Sequence, residues 1–148
     1  MQRGTRSPGV EGKFALNFVA PKTLSSARLR TMASVCRIFD EAKALEFYVD
    51  FLGFKVDWQH RFEANFPLYL QVSLGDCVLH LTEHHGDASP GAAVRIQAQG
   101  VDAYQQQLAG KDYRYAKPGV EETPWGSREM SIKDPFGNRV VFVEEGEG

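Results

Sequence analysis

The order of elements predicts an α+β chain built from two βαβββ modules. Three observations carry this reading. The sequence strand, helix, three strands occurs twice, at about 55 to 60 residues per unit. Each strand candidate alternates between one apolar face and one mixed face, as a sheet covered on one side requires. A single module would leave a sheet face bare, so two must pack together. The repeat is one of element order rather than residue identity. The modules are expected at residues 33–86 and 91–146, within a domain spanning 33–148.

The elements follow in order. "SVCRIF" reads as a short first strand. "DEAKALEFYVDFLGF" reads as an amphipathic helix capped by Asp40, with Ala44, Leu45, Phe47, Tyr48, Phe51 and Leu52 as its apolar stripe and Gly53 as its stop. "FKVDWQHRF", "PLYLQVSL" and "CVLHLTE" read as three strands, the last two joined by the turn Gly75-Asp76. The second module offers "AAVRIQA" as a strand and "VDAYQQQLAG" as a short helix. "YRYAKP", "SREMSIKD" and "NRVVFVEE" follow as strands, the last two around the turn Pro135–Gly137. Strand phase places Leu68, Leu70, Val72 and Leu74 on one face, against Tyr69, Gln71 and Ser73. Cys77, Leu79 and Leu81 oppose Val78, His80 and Thr82; Val94, Ile96 and Ala98 oppose Ala93, Arg95 and Gln97; Met130 and Ile132 oppose Glu129 and Ser131. A mixed face on every strand fits either a lined cavity or a solvated surface.

Composition bounds the function. The chain of 148 residues is 43% hydrophobic and 24% charged, in the range of a globular protein, with no apolar run long enough for a membrane span. Its 17 basic and 19 acidic side chains are unevenly spread: Arg3, Arg6, Lys13, Lys22, Arg28 and Arg30 face only Glu11 in residues 1–33. The remainder is therefore acidic, which argues against a nucleic-acid platform and favours cationic ligands. Residues 1–32 show no sustained period of 2 or 3.6 and read as a flexible basic extension. Three origins fit it: an over-long gene start with Met32 as the working initiator, an organelle transit peptide, or a functional basic arm. Cys36 and Cys77 are expected to be buried free thiols, as in a reducing cytoplasm.

"VLHLTEHHGD" gathers His80, Glu83, His84 and His85 and raises the question of a metal site. Adjacent strand residues point to opposite faces, so His84 and His85 do not converge while the strand lasts. If the chain turns at Gly86-Asp87, both become loop residues. His80 sits mid-strand on the mixed face, either as a satisfied core histidine or as a hydrogen-bonding group near its titration point. Arg95, mid-strand on the mixed face of the second module, needs a carboxylate partner unless it is simply exposed, and Glu129 is the candidate. Trp125 follows Pro124 and precedes Gly126, and so reads as a core plug or a stacking wall. Trp58, Phe62 and Phe66 read as a cavity rim or a dimer contact. No glycine-rich phosphate loop and no serine nucleophile context is present.

"DEAKALEFYVDFLGFKV", "LHLTEHHGD" and "PWGSREMSIKDPFGNRVVFVEE" resemble the vicinal oxygen chelate superfamily, which includes glyoxalase I, extradiol dioxygenases and the bleomycin-resistance proteins. The bleomycin-resistance branch is the most similar, through Pro124-Trp125-Gly126 and "KDPFGNRVVFVEE". The resemblance implies two modules curling mixed sheets around a cleft, and a homodimer. It also implies four metal-ligand positions, which fall at Ala33, His80, Ala93 and Val141, so that only one carries a metal-ligating side chain.

The expected function is therefore metal-free, cofactor-free binding of a small molecule, an antibiotic by analogy, through sequestration in dimer clefts. The ligand would be bulky and cationic, held by Trp125, Gly126, His80, Arg95, Glu129, Tyr69, Gln71, Thr82 and Ser131, with no catalytic residue. Neither nucleic acid nor membrane is an expected partner. The rival reading is a glyoxalase-like lyase or isomerase, or a dioxygenase relative, with a shifted site built on His80 and Glu129. A third is a closed cleft that binds nothing.

Overall fold

A computed structural model describes residues 27–30 and 32–146. The expected readings of residues 1–26 lie outside the described residues. The compact unit begins at Ala33.

The first module runs β1 (Ser34–Arg37), α1 (Glu41–Leu45), a π-helical segment (Glu46–Phe51), β2 (Lys55–Arg61), β3 (Leu68–Leu74) and β4 (Cys77–Thr82). The second runs β5 (Ala93–Gln97), α2 (Val101–Ala109), β6 (Val120–Glu122), β7 (Arg128–Lys133) and β8 (Arg139–Glu144). Each module forms one four-stranded sheet, ordered β1-β4-β3-β2 and β5-β8-β7-β6. In both, the first strand lies parallel to the fourth and the other pairs are antiparallel. This is the expected βαβββ repeat.

Two elements depart from the sequence reading. The first helix is not α-helical throughout. Asp40 caps it, its carboxylate accepting from the Lys43 N–H at 2.9 Å, but from Glu46 the ladder widens to π, ending with Leu52 N–H donating to Phe47 O at 2.9 Å. Phe47, Tyr48 and Phe51 of the widened segment are all buried. The stop holds, since Gly53 takes φ +94, which disfavours any side chain. "YRYAKP" is not a strand; the second strand of the second module is β6, beyond it. Pro118 lacks the N–H a ladder needs, and Tyr113 turns inward to stack on Phe51, ring centroids 4.6 Å apart.

One core serves both modules, filled by Phe47, Tyr48, Phe51, Leu70, Leu79 and Leu81 from the first and Val94, Leu108, Met130 and Phe142 from the second. Cys36 belongs to it, and burial, with the Asp134 charge nearby, pushes its thiol up to about 11, so it is an inert core residue. Cys77 is only partly buried, and both cysteines are free.

The modules are joined by the β7–β8 turn. Asp134 and Asn138 are 5% and 0% exposed, yet every bond they need is made. The Asp134 carboxylate accepts from the Tyr48 hydroxyl at 2.6 Å, from the Phe136 and Asn138 N–H groups at 2.8 Å each, and from Asn138 Nδ2 at 2.8 Å. The Asn138 amide also donates to Arg37 O at 2.8 Å and accepts from Ala92 N–H at 3.2 Å. The "DPFGN" segment is thus a clamp from the second module onto the first. A buried carboxylate is tolerable only with such a full set of donors. Tyr104 reinforces the joint, its hydroxyl donating to Leu52 O at 2.6 Å.

Candidate functional site

The register places the mixed faces. On the first sheet, Val35 lies beside His80, His80 beside Gln71, Gln71 beside Trp58, and Tyr69 beside His60. Paired residues share a face, so one surface carries Trp58, His60, Tyr69, Gln71 and His80. A register shift between Val56 and Trp58 bulges β2 at Asp57. The bulge brings Trp58 onto the surface that Asp57 already shares with Lys55, and there the Asp57 carboxylate meets Gln71 and Ser73.

These side chains form one hydrogen-bonded chain. The Tyr69 hydroxyl lies 2.7 Å from His80 Nδ1, and His80 Nε2 lies 3.0 Å from Gln71 Oε1. Gln71 Nε2 donates to Asp57 Oδ2 at 2.9 Å, and the Ser73 hydroxyl donates to Asp57 Oδ1 at 3.0 Å. The bonds from Gln71 and Ser73 hold the Asp57 carboxyl below the usual carboxylate range; Lys55, at 3.4 Å, adds to them and partial burial opposes them. Burial, with the Asp87 charge, raises the Tyr69 phenol, so its proton is present at neutral pH.

Aromatic faces close over the chain. The Trp58 and Tyr69 rings lie nearly parallel, 7° apart at 6.0 Å, and His80 meets both edge-on at 5.4 and 5.3 Å. Trp58 is 44% exposed, so its ring is shared between this cluster and open space. The sequence reading placed Trp58 only as rim or contact and did not single out Asp57. Alternation from Lys55, which pairs with Ser73, points Asp57 to this face; the register shift is what adds Trp58 to it.

The other expected residues are arranged differently. Thr82 is fully buried; its hydroxyl donates to Asp87 at 2.8 Å and accepts from His84 N–H at 3.0 Å. It pins the loop after β4 and does not line the recess as expected. Glu83 accepts from Leu68 N–H at 2.9 Å and lies 3.8 Å from Arg61, again holding structure. His85 lies in the following loop and is exposed, while His84 is half-buried with its ring 6.4 Å from Tyr69. The donors of "HLTEHH" therefore diverge, and among the described residues no three metal-ligating side chains gather.

On the second sheet, Arg95 donates to Glu129 at 2.8 Å. The same contact holds the Glu129 carboxyl low and the Arg95 guanidinium high. Ser127 donates to Glu129 at 3.2 Å, and Ser131 is exposed on the same face. Trp125 is 72% exposed and has no aromatic neighbour among the described residues, so it is not a core plug. It stands on a braced turn: Gly126, at φ +96, donates to Thr123 O at 3.0 Å, and Ser127 N–H donates to the Thr123 hydroxyl at 3.0 Å. His80 and Glu129 each take their hydrogen-bond partners from their own sheet.

With this geometry in view, the likenesses to known proteins become specific. A family profile described as a glyoxalase superfamily protein matches residues 19–148, and so takes in residues 19–32 as well as the body. No curated protein matches the chain. A bleomycin-binding protein from the bleomycin-producing Streptomyces verticillus, solved with copper(II)-bleomycin, is 28% identical with a TM-score of 0.61, over 82% of this chain and 99% of that one. The antibiotic-binding protein TnmS3 from Streptomyces sp. CB03234 is 22% identical with a TM-score of 0.60, over 81% and 100%. A bleomycin-binding protein in complex with bleomycin is 16% identical with a TM-score of 0.62, over 79% and 99%. The paired βαβββ sheets and the profile spanning nearly the whole chain agree: this chain belongs to the glyoxalase superfamily.

Proposed function

We propose that this protein binds a bulky, cationic small molecule with a flat aromatic part, without metal or cofactor, and works by sequestration rather than by breaking a bond. The observation that carries the reading is the exposed Trp58 ring, backed by Tyr69 and His80 over the Asp57 carboxylate. Stacked aromatic faces attract flat and cationic groups, and a carboxylate held ionised beneath them adds to the attraction. The second sheet's own face, with Trp125 and Gly126 on its turn and Arg95, Glu129 and Ser131 on its surface, is occupied by its own ion pair and stands outside this site. A second copy of the chain closes each cleft. Strands β1 and β5 each end a sheet, leaving backbone groups for a partner to meet. An antibiotic is the ligand class suggested by the solved relatives.

Calorimetry with metal-free bleomycin tests this on the full chain. Binding is expected with the ligand recovered chemically unchanged, and Trp58→Ala should weaken it by about 1–3 kcal/mol, the scale of one lost stacking partner. Light scattering should give a dimer at micromolar concentration. Stoichiometric zinc, nickel or iron in the purified protein, lost on His80→Ala together with a turnover activity, would overturn the proposal in favour of a metalloenzyme.

A further inference from the structure

The hydrogen-bonded chain on the first sheet has only one sense. The Asp57 carboxylate accepts and cannot donate, so the Gln71 amide must present its NH₂ group to it. Gln71 Oε1 is then the atom facing His80, and His80 Nε2 must carry the proton that bonds it. In a neutral imidazole the other nitrogen is then an acceptor. The Tyr69 hydroxyl, 2.7 Å from Nδ1, therefore has its single proton committed to His80.

We infer that His80 sets the hydrogen-bonding sense of the Tyr69 hydroxyl, and with it the kind of ligand this face accepts. The inference rests on the reading of this face as the ligand site. With His80 neutral, Tyr69 offers only oxygen lone pairs outward and selects ligands bearing an N–H or O–H donor. When a proton from solvent adds to Nδ1, that nitrogen donates to the tyrosine oxygen. The hydroxyl proton then rotates outward, and the face selects ligands bearing an acceptor. The Nε2–H bond to Gln71 is kept in both states, so the rest of the chain does not rearrange. The charged and titratable groups around His80 are Tyr69 on β3, Lys55, Asp57 and His60 on β2, Arg37 on β1, and His84 and Asp87 after β4. Of these, only the Tyr69 hydroxyl is bonded to the ring.

The test uses two neutral bicyclic probes of similar shape: indole, which has one N–H donor, and 1-indanone, which has one carbonyl acceptor. Chemical-shift titrations of the full-length protein give both affinities on either side of the His80 ring transition, which the ring ¹⁵N shifts themselves locate. Ring ¹⁵N shifts, assigned by their loss in His80→Gln, report the tautomer. The expected result is that the neutral ring is the Nε2–H tautomer. The ratio of indole to indanone affinity should fall roughly tenfold on acidification, the scale of one hydrogen bond gained and one lost. Tyr69→Phe should still bind both probes with a ratio that no longer follows pH. Asp57→Asn, which frees the Gln71 amide to turn over, should give a mixture of neutral tautomers. An Nδ1–H tautomer in the native protein overturns the inference. So does an affinity ratio insensitive to pH, or one that moves equally in Tyr69→Phe. If neither probe binds at either pH, the ligand reading of this face is lost, while the ring shifts still decide the sense of the hydroxyl.

Discussion

The two sheets have the same strand order and expose unlike mixed faces. The first carries aromatic rings over a four-residue chain from Tyr69 through His80 and Gln71 to Asp57. The second carries an Arg95–Glu129 ion pair flanking the buried Val141 and Val143, with its tryptophan on a neighbouring turn. One repeat of topology therefore supports two chemistries. The difference begins at a single backbone irregularity, the bulge at Asp57, for which β6 shows no counterpart. The lesson is that topology fixes where side chains can stand, and local register decides which of them meet.

The comparison can be broken first at the frame both faces share. Asp134→Ala removes the acceptor that binds Tyr48, Phe136 and Asn138, and leaves buried donors unpaired. It should cost about 3–5 kcal/mol of stability in denaturant unfolding, the scale of breaking a buried charged network. Tyr48→Phe keeps three of the four donors and should cost about 1–2 kcal/mol by the same measurement.

The pH dependence sharpens the contrast between the faces. Asp57 and Glu129 are both held below the ordinary carboxylate range, Asp57 by Gln71 and Ser73, Glu129 by Arg95. A depressed carboxyl contributes stability that is intact above its unfolded value of about 4 and is lost as pH falls through its folded value. Thermal melts below about pH 4 should therefore lose less in Asp57→Asn and in Glu129→Gln than in the native chain. Only Asp57→Asn should also disturb the His80 ring. Arg95 is the exposed, screened half of its pair with the mostly covered Glu129, so Arg95→Met should lower the melting temperature at neutral pH only slightly.

Much of this was legible in the residues. Alternation placed Leu68, Leu70 and Val72 in the core opposite Tyr69 and Gln71, and it paired Arg95 with Glu129, because regular strands obey a period of two. Asp40 and Gly53 bounded the first helix by local chemistry alone. The π-widening of Glu46–Phe51 left no such signal, since α and π segments bury similar apolar stripes. "YRYAKP" misled because aromatic alternation mimics a strand, while its inward ring, Tyr113, answers to Phe51 across the core. Thr82 looked like a lining residue by phase, but its hydroxyl is taken by Asp87 five residues on. "DPFGN" read as a turn signature, and its role as a clamp needed Tyr48 and Arg37, distant in sequence. The cluster at Trp58 was hidden because a bulge cannot be read from alternation.

The central claim is that the first sheet's face, rather than the second's, receives the ligand. Titrating the labelled protein with indole and following side-chain resonances tests it most directly. The account predicts concerted shifts of the Trp58 and His80 rings and of the Gln71 amide, with Arg95 and the backbone of residues 128–133 barely moving. Shifts confined to Trp125 and Arg95, with Trp58 and His80 unmoved, would contradict it.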